Sequence, residues 1–292
     1  VGWFFLTLLC AFSLASSDAL VKRALQRGHN EYLVAWLRLL WSLPVILVFY
    51  LLLPSPVPTP EFYRAALLAL PLELAALVLY VKALKLSPLS LTVPFLSLTP
   101  VFLLAVPTLL LGERLTLSGG IGVALIAGGG YCLHLRSLRA GFWAPLKAIR
   151  HEPGSLCMIV VALIYSFTST LGKQAISAAS PILFAAFYFP LLAVLMTPLT
   201  FWRAKDAFNV QNLRGAVAAT FAPGMWFALM LISHMFAVNM VNVAYMISVK
   251  RFSLVIGVLY GHLLFGEKGL AERLFGTLLM VAGVALILIG GG

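Results

Sequence analysis

The stretch Phe236–Lys268, FAVNMVNVAYMISVKRFSLVIGVLYGHLLFGEK, is an apolar run of membrane length with two adjacent cations, Lys250 and Arg251, near its centre. A Lys or Arg at bilayer depth is costly, so such residues face a protein interior or a wet cavity and mark a route for ions or substrates. The same stretch aligns without a gap on Lys82–Arg114, KALKLSPLSLTVPFLSLTPVFLLAVPTLLLGER, at an offset of 154 residues. The chain therefore contains one pattern twice, and only the second copy carries the central pair of charges.

The composition sets the solvent. With 62% hydrophobic residues, 10% charged residues and a mean hydropathy of +1.04 over 292 residues, the chain lies outside the range of soluble domains. Backbone polar groups in lipid must be satisfied within the spanning structure, and apolar runs of about 20 residues match helices rather than barrel strands. The chain reads as an all-α polytopic membrane protein. Its net charge of +11 sits mostly in short clusters between apolar runs, where cations set topology and contact lipid head groups. No basic domain stands apart from the apolar runs, so nucleic acid is not an expected partner. Cys10, Cys132 and Cys157 are dispersed without metal spacing, and neither a disulfide framework, a zinc site nor a cofactor is expected. The opening VGWFFLTLLCAFSLASS lacks a basic n-region, and Leu9 before Cys10 fits a lipoprotein cleavage site poorly, so it reads as the first span.

Hydropathy and turn residues predict ten transmembrane helices, at 3–21, 33–53, 62–82, 88–111, 117–134, 156–176, 181–202, 216–237, 242–265 and 273–289. They divide into five-helix units, 1–134 and 156–292. Residues 135–155, LRSLRAGFWAPLKAIRHEPGS, join them as a basic connector whose Phe142, Trp143, Leu146 and Ile149 suit an interfacial position, with a regulatory lipid-binding role as the alternative. The duplication is sharpest at the end of each unit, where Gly112-Glu113, Gly122 and Gly129 recur as Gly266-Glu267, Gly276 and Gly283. An odd number of spans per unit turns the second copy upside down, which gives two inverted five-helix repeats with a site expected near midplane between them.

The pattern Ala83-Leu84, Ser87-Pro88, Pro94 and Thr99-Pro100, then Leu111-Gly112-Glu113-Arg114 and Gly122, resembles the EamA repeat of the drug/metabolite transporter superfamily. The second copy has Asn242, Ser248 and Leu254 in place of Pro88, Pro94 and Pro100 but keeps Phe265-Gly266-Glu267-Lys268. The resemblance implies a ten-helix transporter whose fourth and ninth helices line a central cavity, with the first, third, sixth and eighth around it. Lys250-Arg251 also looks like the Lys-Arg pair with which plastid triose-phosphate translocators hold phosphate. The fourth span has no basic residue to complete such a site, so the likeness favours an anionic substrate without naming a sugar phosphate.

Several residues are candidates for the site. Lys250 and Arg251 lie about nine residues, or roughly 13 Å, into the ninth span, too deep to reach the interface easily. Arg suits a carboxylate or phosphate with its planar fork, and Lys supplies a compact charge. Gly257 and Gly261 lie on or near the Lys250 face, and a structural ion pair with a distant acid is the alternative role for the cations. Glu73 is the acid most central in its span, and it could pair with Lys250 or Arg251 or carry a coupling proton. Asp18, followed by Lys22 at i+4, suggests an intrahelical pair near the interface. Arg38 lies about one and a half turns into the second span and could face either the cavity or the interface. Asn239, Asn242 and Tyr245 form a stripe that could bind a polar substrate or join helices. Trp226, after the Pro223-Gly224 break, and Tyr188 are aromatic candidates for the cavity wall. His234 and His262 are expected to be structural.

Pro44, Pro71, Pro94, Pro100, Pro107, Pro190 and Pro223 are expected to interrupt or kink the second, third, fourth, seventh and eighth spans. The fifth and tenth spans carry small residues instead and are expected to form a static scaffold. Fourteen of the 20 Lys and Arg follow odd-numbered spans, which by the positive-inside rule puts both termini outside. The family resemblance implies both termini in the cytoplasm. The functional expectation is a secondary transporter in the cell (cytoplasmic or inner) membrane, moving a small, polar, anionic metabolite by alternating access. Proton or exchange coupling is expected, and an oligomer is not required. A membrane-embedded enzyme is disfavoured by the lack of a His-Glu-x-x-His helix or nucleophile elbow, and a passive channel by the repeat architecture.

Overall fold

A computed structural model of the chain describes residues 2–54, 56–87, 93–132, 153–266 and 274–290. Among the described residues every regular element is helical. The first three spans are α1 (Gly2–Gln26), α2 (Glu31–Leu52) and α3 (Pro60–Leu86). The fourth is a 3-10 turn, Val93–Leu98, followed by α4 (Thr99–Phe102) and α5 (Val106–Leu111), and the fifth is α6 (Leu117–Cys132). In the second unit α7 (Pro153–Ser177), α8 (Pro181–Arg203) and α9 (Val210–Met240) are the sixth to eighth spans. The ninth is α10 (Val243–Lys250) with α11 (Phe252–Phe265), and the tenth is α12 (Leu274–Gly290). Seven of these segments have spanning length, counting Val243–Phe265 as one, and Phe95–Leu111, Leu117–Gly130 and Phe275–Gly290 are shorter apolar helices. Most of the basic connector at 135–155 lies outside the described residues, as do Pro88, Glu267 and Lys268.

Local chemistry explains the ends. Asn30 accepts from the N–H groups of Tyr32 and Leu33, Ser180 from Leu183 and Asn209 from Asn212, so α2, α8 and α9 begin at side-chain caps. Gly112 and Gly266 end α5 and α11 at φ +67° and +65°, a left-handed turn that glycine adopts without strain.

The proline expectation needs correction. Helices α2, α3, α8 and α9 run continuously through Pro44, Pro71, Pro190 and Pro223. Only the fourth span breaks at its prolines, because Pro94, Pro100 and Pro107 recur about every second turn, each removing a backbone bond. The ninth span breaks too, without any proline, at Arg251, whose backbone N–H is shared among the carbonyls of the preceding turn. Both discontinuous spans are thus repeat equivalents.

The packing follows the repeat. Helix α3 lies along α7 as its equivalent α9 lies along α1, while α2 meets α8 and α6 meets α12 as self-paired contacts. The α6–α12 contact is a crossed glycine pairing. A Cβ on Gly122 would sit 2.6 Å from the Gly283 carbonyl oxygen, and one on Gly129 would sit 2.6 Å from that of Gly276. Residues ascending in one helix meet residues descending in the other, so the helices are antiparallel and the two repeats are inverted. Apolar side chains such as Phe5, Leu51, Val194, Leu263 and Ile289 project outward, as a lipid-facing surface requires.

Gly122→Ala should overpack the α6–α12 seam and cost about 1–3 kcal/mol. Gly128→Ala, where no atom lies within 4 Å of the added carbon, should be neutral or slightly stabilising. Thermal unfolding of both variants in detergent checks the contrast.

Candidate functional site

Helical periodicity builds the site. On α3, Glu73, Leu77 and Tyr80 recur at spacings of four and three; on α7, Tyr165, Thr168, Ser169 and Gly172 form one stripe; on α9, Phe227, Met230, Leu231 and His234 form another. These stripes, with Phe184, Tyr188 and Phe189 of α8 and Ile247, Lys250 and Arg251 at the break of the ninth span, enclose a central cavity of about 110 Å³. Helix α2 adds Arg38 and Leu39, and Leu14 and Leu96 complete the wall from the first and fourth spans.

The cavity sits on the axis that relates the repeats. Six pairs at the 154-residue offset both line it: Leu14 with Thr168, Arg38 with Leu192, Glu73 with Phe227, Leu77 with Leu231, Tyr80 with His234, and Leu96 with Lys250. The shape is duplicated and the chemistry is not, since each charged residue has an apolar counterpart.

Both sequence-predicted cations reach this space. Arg251 is 3% exposed, and it makes no ion pair or side-chain hydrogen bond among the described residues; its buried Nε has no partner. Lys250 Nζ lies 3.0 Å from His234 Nδ1 and 3.6 Å from Met230 Sδ. A charged Lys250 ammonium can only donate, in which case Nδ1 accepts and the ring proton is on Nε2. Helix α9 extends to Met240, so His234 lies well inside it with Lys250 as its neighbour.

Glu73 lines the cavity from α3, as Thr168 does from α7. It has no ion-pair partner among the described residues, so the pairing with Lys250 or Arg251 that its position suggested is not formed. Tyr188 also lines the cavity, stacked on Phe184 with ring centroids 4.7 Å apart.

Beside the cavity lies a buried network. Arg38 pairs with Asp18 at 3.1 Å and lies 4.2 Å over the Phe227 ring, while the Tyr80 hydroxyl donates to the other Asp18 oxygen. The Asp18–Lys22 pair expected from i+4 spacing gives way to this cross-helix arrangement, and Lys22 donates to the carbonyls of Leu84 and Ser87. Arg38 turns inward because Asp18 offers it a charge partner out of lipid.

Three candidates lie elsewhere. Tyr245 is 1% exposed and its hydroxyl accepts from the Thr116 N–H at 3.1 Å, joining α10 to the start of α6. Asn242 donates to the Arg114 carbonyl at 3.3 Å, and Trp226 meets Phe12 edge-on at 5.4 Å. None of the three lines the cavity. Tyr80, Tyr165, Thr168, Phe184 and Phe189 were missed, because their stripes resemble ordinary packing until the helices are assembled. The fourth span, expected as a principal wall, contributes only Leu96 among its described residues.

Asp18→Ala should destabilise the fold by about 3–5 kcal/mol by leaving Arg38 buried and unpaired. Asp18→Asn combined with Arg38→Met should recover most of that loss, measured by thermal unfolding of the purified proteins.

The EamA-like transporter family model matches residues 1–134 and again 152–289. No curated protein matches the sequence. A solved structure described as "Crystal structure of protein" shares the fold, with a TM-score of 0.73 at 16% identity, covering 97% of this chain and 98% of its own. With two family matches that together span nearly its whole length, and an all-helical bundle of two inverted repeats around one cavity, the chain belongs to the EamA-like transporter family.

Proposed function

We propose that this multi-pass membrane transporter carries a small polar anion, an organic acid, amino acid or phosphorylated metabolite, by alternating access across the cell's cytoplasmic membrane. The observation that carries the reading is Arg251, a guanidinium 3% exposed, lining the cavity and unpaired among the described residues. A buried charge held without a partner costs free energy that a ligand of opposite sign offsets, and Arg presents donors matched to carboxylate or phosphate. Lys250, beside it in sequence and on the same cavity, is the second contact, held toward the site by His234.

The units 1–134 and 156–292, joined by 135–155, are the two inverted repeats, and the spans that rock are those around the cavity. Their movement is absorbed at the discontinuous fourth and ninth spans, while α6 and α12 remain a fixed seam. Transport is coupled to a proton or to exchange for a second metabolite. One chain encloses the whole cavity, so an oligomer is not needed for the site.

Counterflow in proteoliposomes tests the reading. An anion should exchange saturably, and Arg251→Ala should lower its exchange about thirtyfold or more while the protein stays folded. Exchange that survives both Lys250→Ala and Arg251→Ala would remove these residues from the site, and flux without saturation or counterflow would identify a channel.

A further inference from the structure

We infer that Glu73 forms a second, opposite pole of the same site and selects a substrate carrying a protonated amine beside its anionic group, as an α-amino acid does. The inference rests on the anion reading above. Glu73 lines the cavity from α3 without an ion pair among the described residues. Lys250 and Arg251 line the same cavity, yet neither brings a nitrogen within 4.0 Å of the Glu73 carboxylate. Charges meant only to neutralise each other would close that gap, as Asp18 and Arg38 do at 3.1 Å.

The repeat supplies an independent argument. Glu73 corresponds to Phe227 and Lys250 to Leu96, and all four line the cavity. The scaffold therefore tolerates an apolar residue at each position, and the two charges are additions of opposite sign, one from each repeat. Tyr165 and Tyr188 line the same cavity. An ammonium against Glu73 would meet these aromatic rings, which attract a cation, while the carboxylate at its other end meets Arg251 and Lys250.

The test compares α-amino acids with the 2-hydroxy acids of the same side chains, in counterflow by wild type and Glu73→Gln. The wild type should prefer the amino acid by about tenfold or more, the effect of one charge-assisted hydrogen bond. Glu73→Gln should bring amino-acid exchange down to the hydroxy-acid level, with thermal unfolding of the purified variant reporting that it is folded. Hydroxy acids exchanged as well as amino acids by the wild type, or a preference unchanged in Glu73→Gln, would overturn the inference and leave the anion reading standing. If Glu73 instead carries a coupling proton, the variant loses gradient-driven uptake but keeps the wild-type preference in counterflow, and the inference falls. No saturable anion exchange by the wild type would overturn the anion reading itself.

A lysine also holds the chain just before each discontinuous span. Lys173 of α7 pairs with Glu113 at 2.5 Å and donates to the Val241 carbonyl at 2.7 Å, while the second Glu113 oxygen accepts from the Val243 N–H at 3.1 Å. Lys22 of α1 donates to the carbonyls of Leu84 and Ser87 at 2.7 and 3.1 Å. Ser87 and Val241 are repeat equivalents, so inversion puts the two arrangements at opposite ends of the bundle. We propose that Lys173–Glu113 is the lock on one mouth of the cavity, since Lys173 lines the cavity and its partners fix the entry to α10.

The readout is labelling of Ile176→Cys, one turn beyond Lys173 and 2% exposed, by a membrane-impermeant maleimide in a chain whose native cysteines are serine. Lys173→Met or Glu113→Gln should raise the labelling rate about fivefold or more, and Lys173→Arg should keep it low. Unchanged labelling in Lys173→Met and Glu113→Gln, or raised labelling in Lys173→Arg, would overturn the lock.

Discussion

The bundle is organised around one constraint, that cations in a lipid-thick protein need an environment that lipid cannot supply. Lys250 and Arg251 sit where the ninth span breaks, on the cavity that the two repeats enclose. The helices around them solve the problem by presenting polar stripes inward and apolar ones outward. His234, Tyr80, Tyr165 and Thr168 supply the inward polarity, and the network of Asp18, Arg38 and Tyr80 satisfies a further pair of charges beside it. The cost of burying these groups is offset partly by each other and, in the proposed mechanism, partly by the substrate.

Inverted duplication supplies the shape. Equivalent positions such as Leu77 with Leu231, or Tyr80 with His234, face the same space from opposite sides of an axis in the membrane. Such an axis lets one wall structure serve both directions of access, because each half has a counterpart able to adopt the other's arrangement. Divergence then fills a symmetric shape with unlike chemistry: a carboxylate opposite a phenyl ring, an ammonium opposite an isobutyl group. A polar molecule bound there is oriented rather than merely enclosed.

In the proposed mechanism the mechanical roles divide along similar lines. Helices α6 and α12 approach closely enough that their glycines face backbone carbonyls, and a seam without side chains between its backbones has little room to slide. The fourth and ninth spans carry incomplete backbone hydrogen bonding, by closely spaced prolines in one and a tightened turn at Arg251 in the other. Broken helices at membrane depth persist only where protein or a cavity satisfies the freed groups, and both breaks lie within the bundle.

The amino-acid sequence by itself determined the solvent, the helical class, the duplication and its inversion, because hydropathy, span length and a gapless offset are properties of the chain alone. It also singled out Lys250, Arg251 and Glu73, whose charges are conspicuous in apolar runs. Tertiary structure decided the rest. Asp18 is four residues from Lys22, a spacing that suggests a local pair, yet a neighbouring helix offers Arg38 and Tyr80. Asn242 and Tyr245 share a stripe with each other but not with the cavity, since their helix turns that part toward Arg114 and Thr116. Tyr165, Thr168 and Phe184 look like packing residues in sequence because a helix face acquires meaning only from the faces set against it. Partners separated by tens or hundreds of residues are chosen by rigid-body packing of helices, and no local periodicity records that choice.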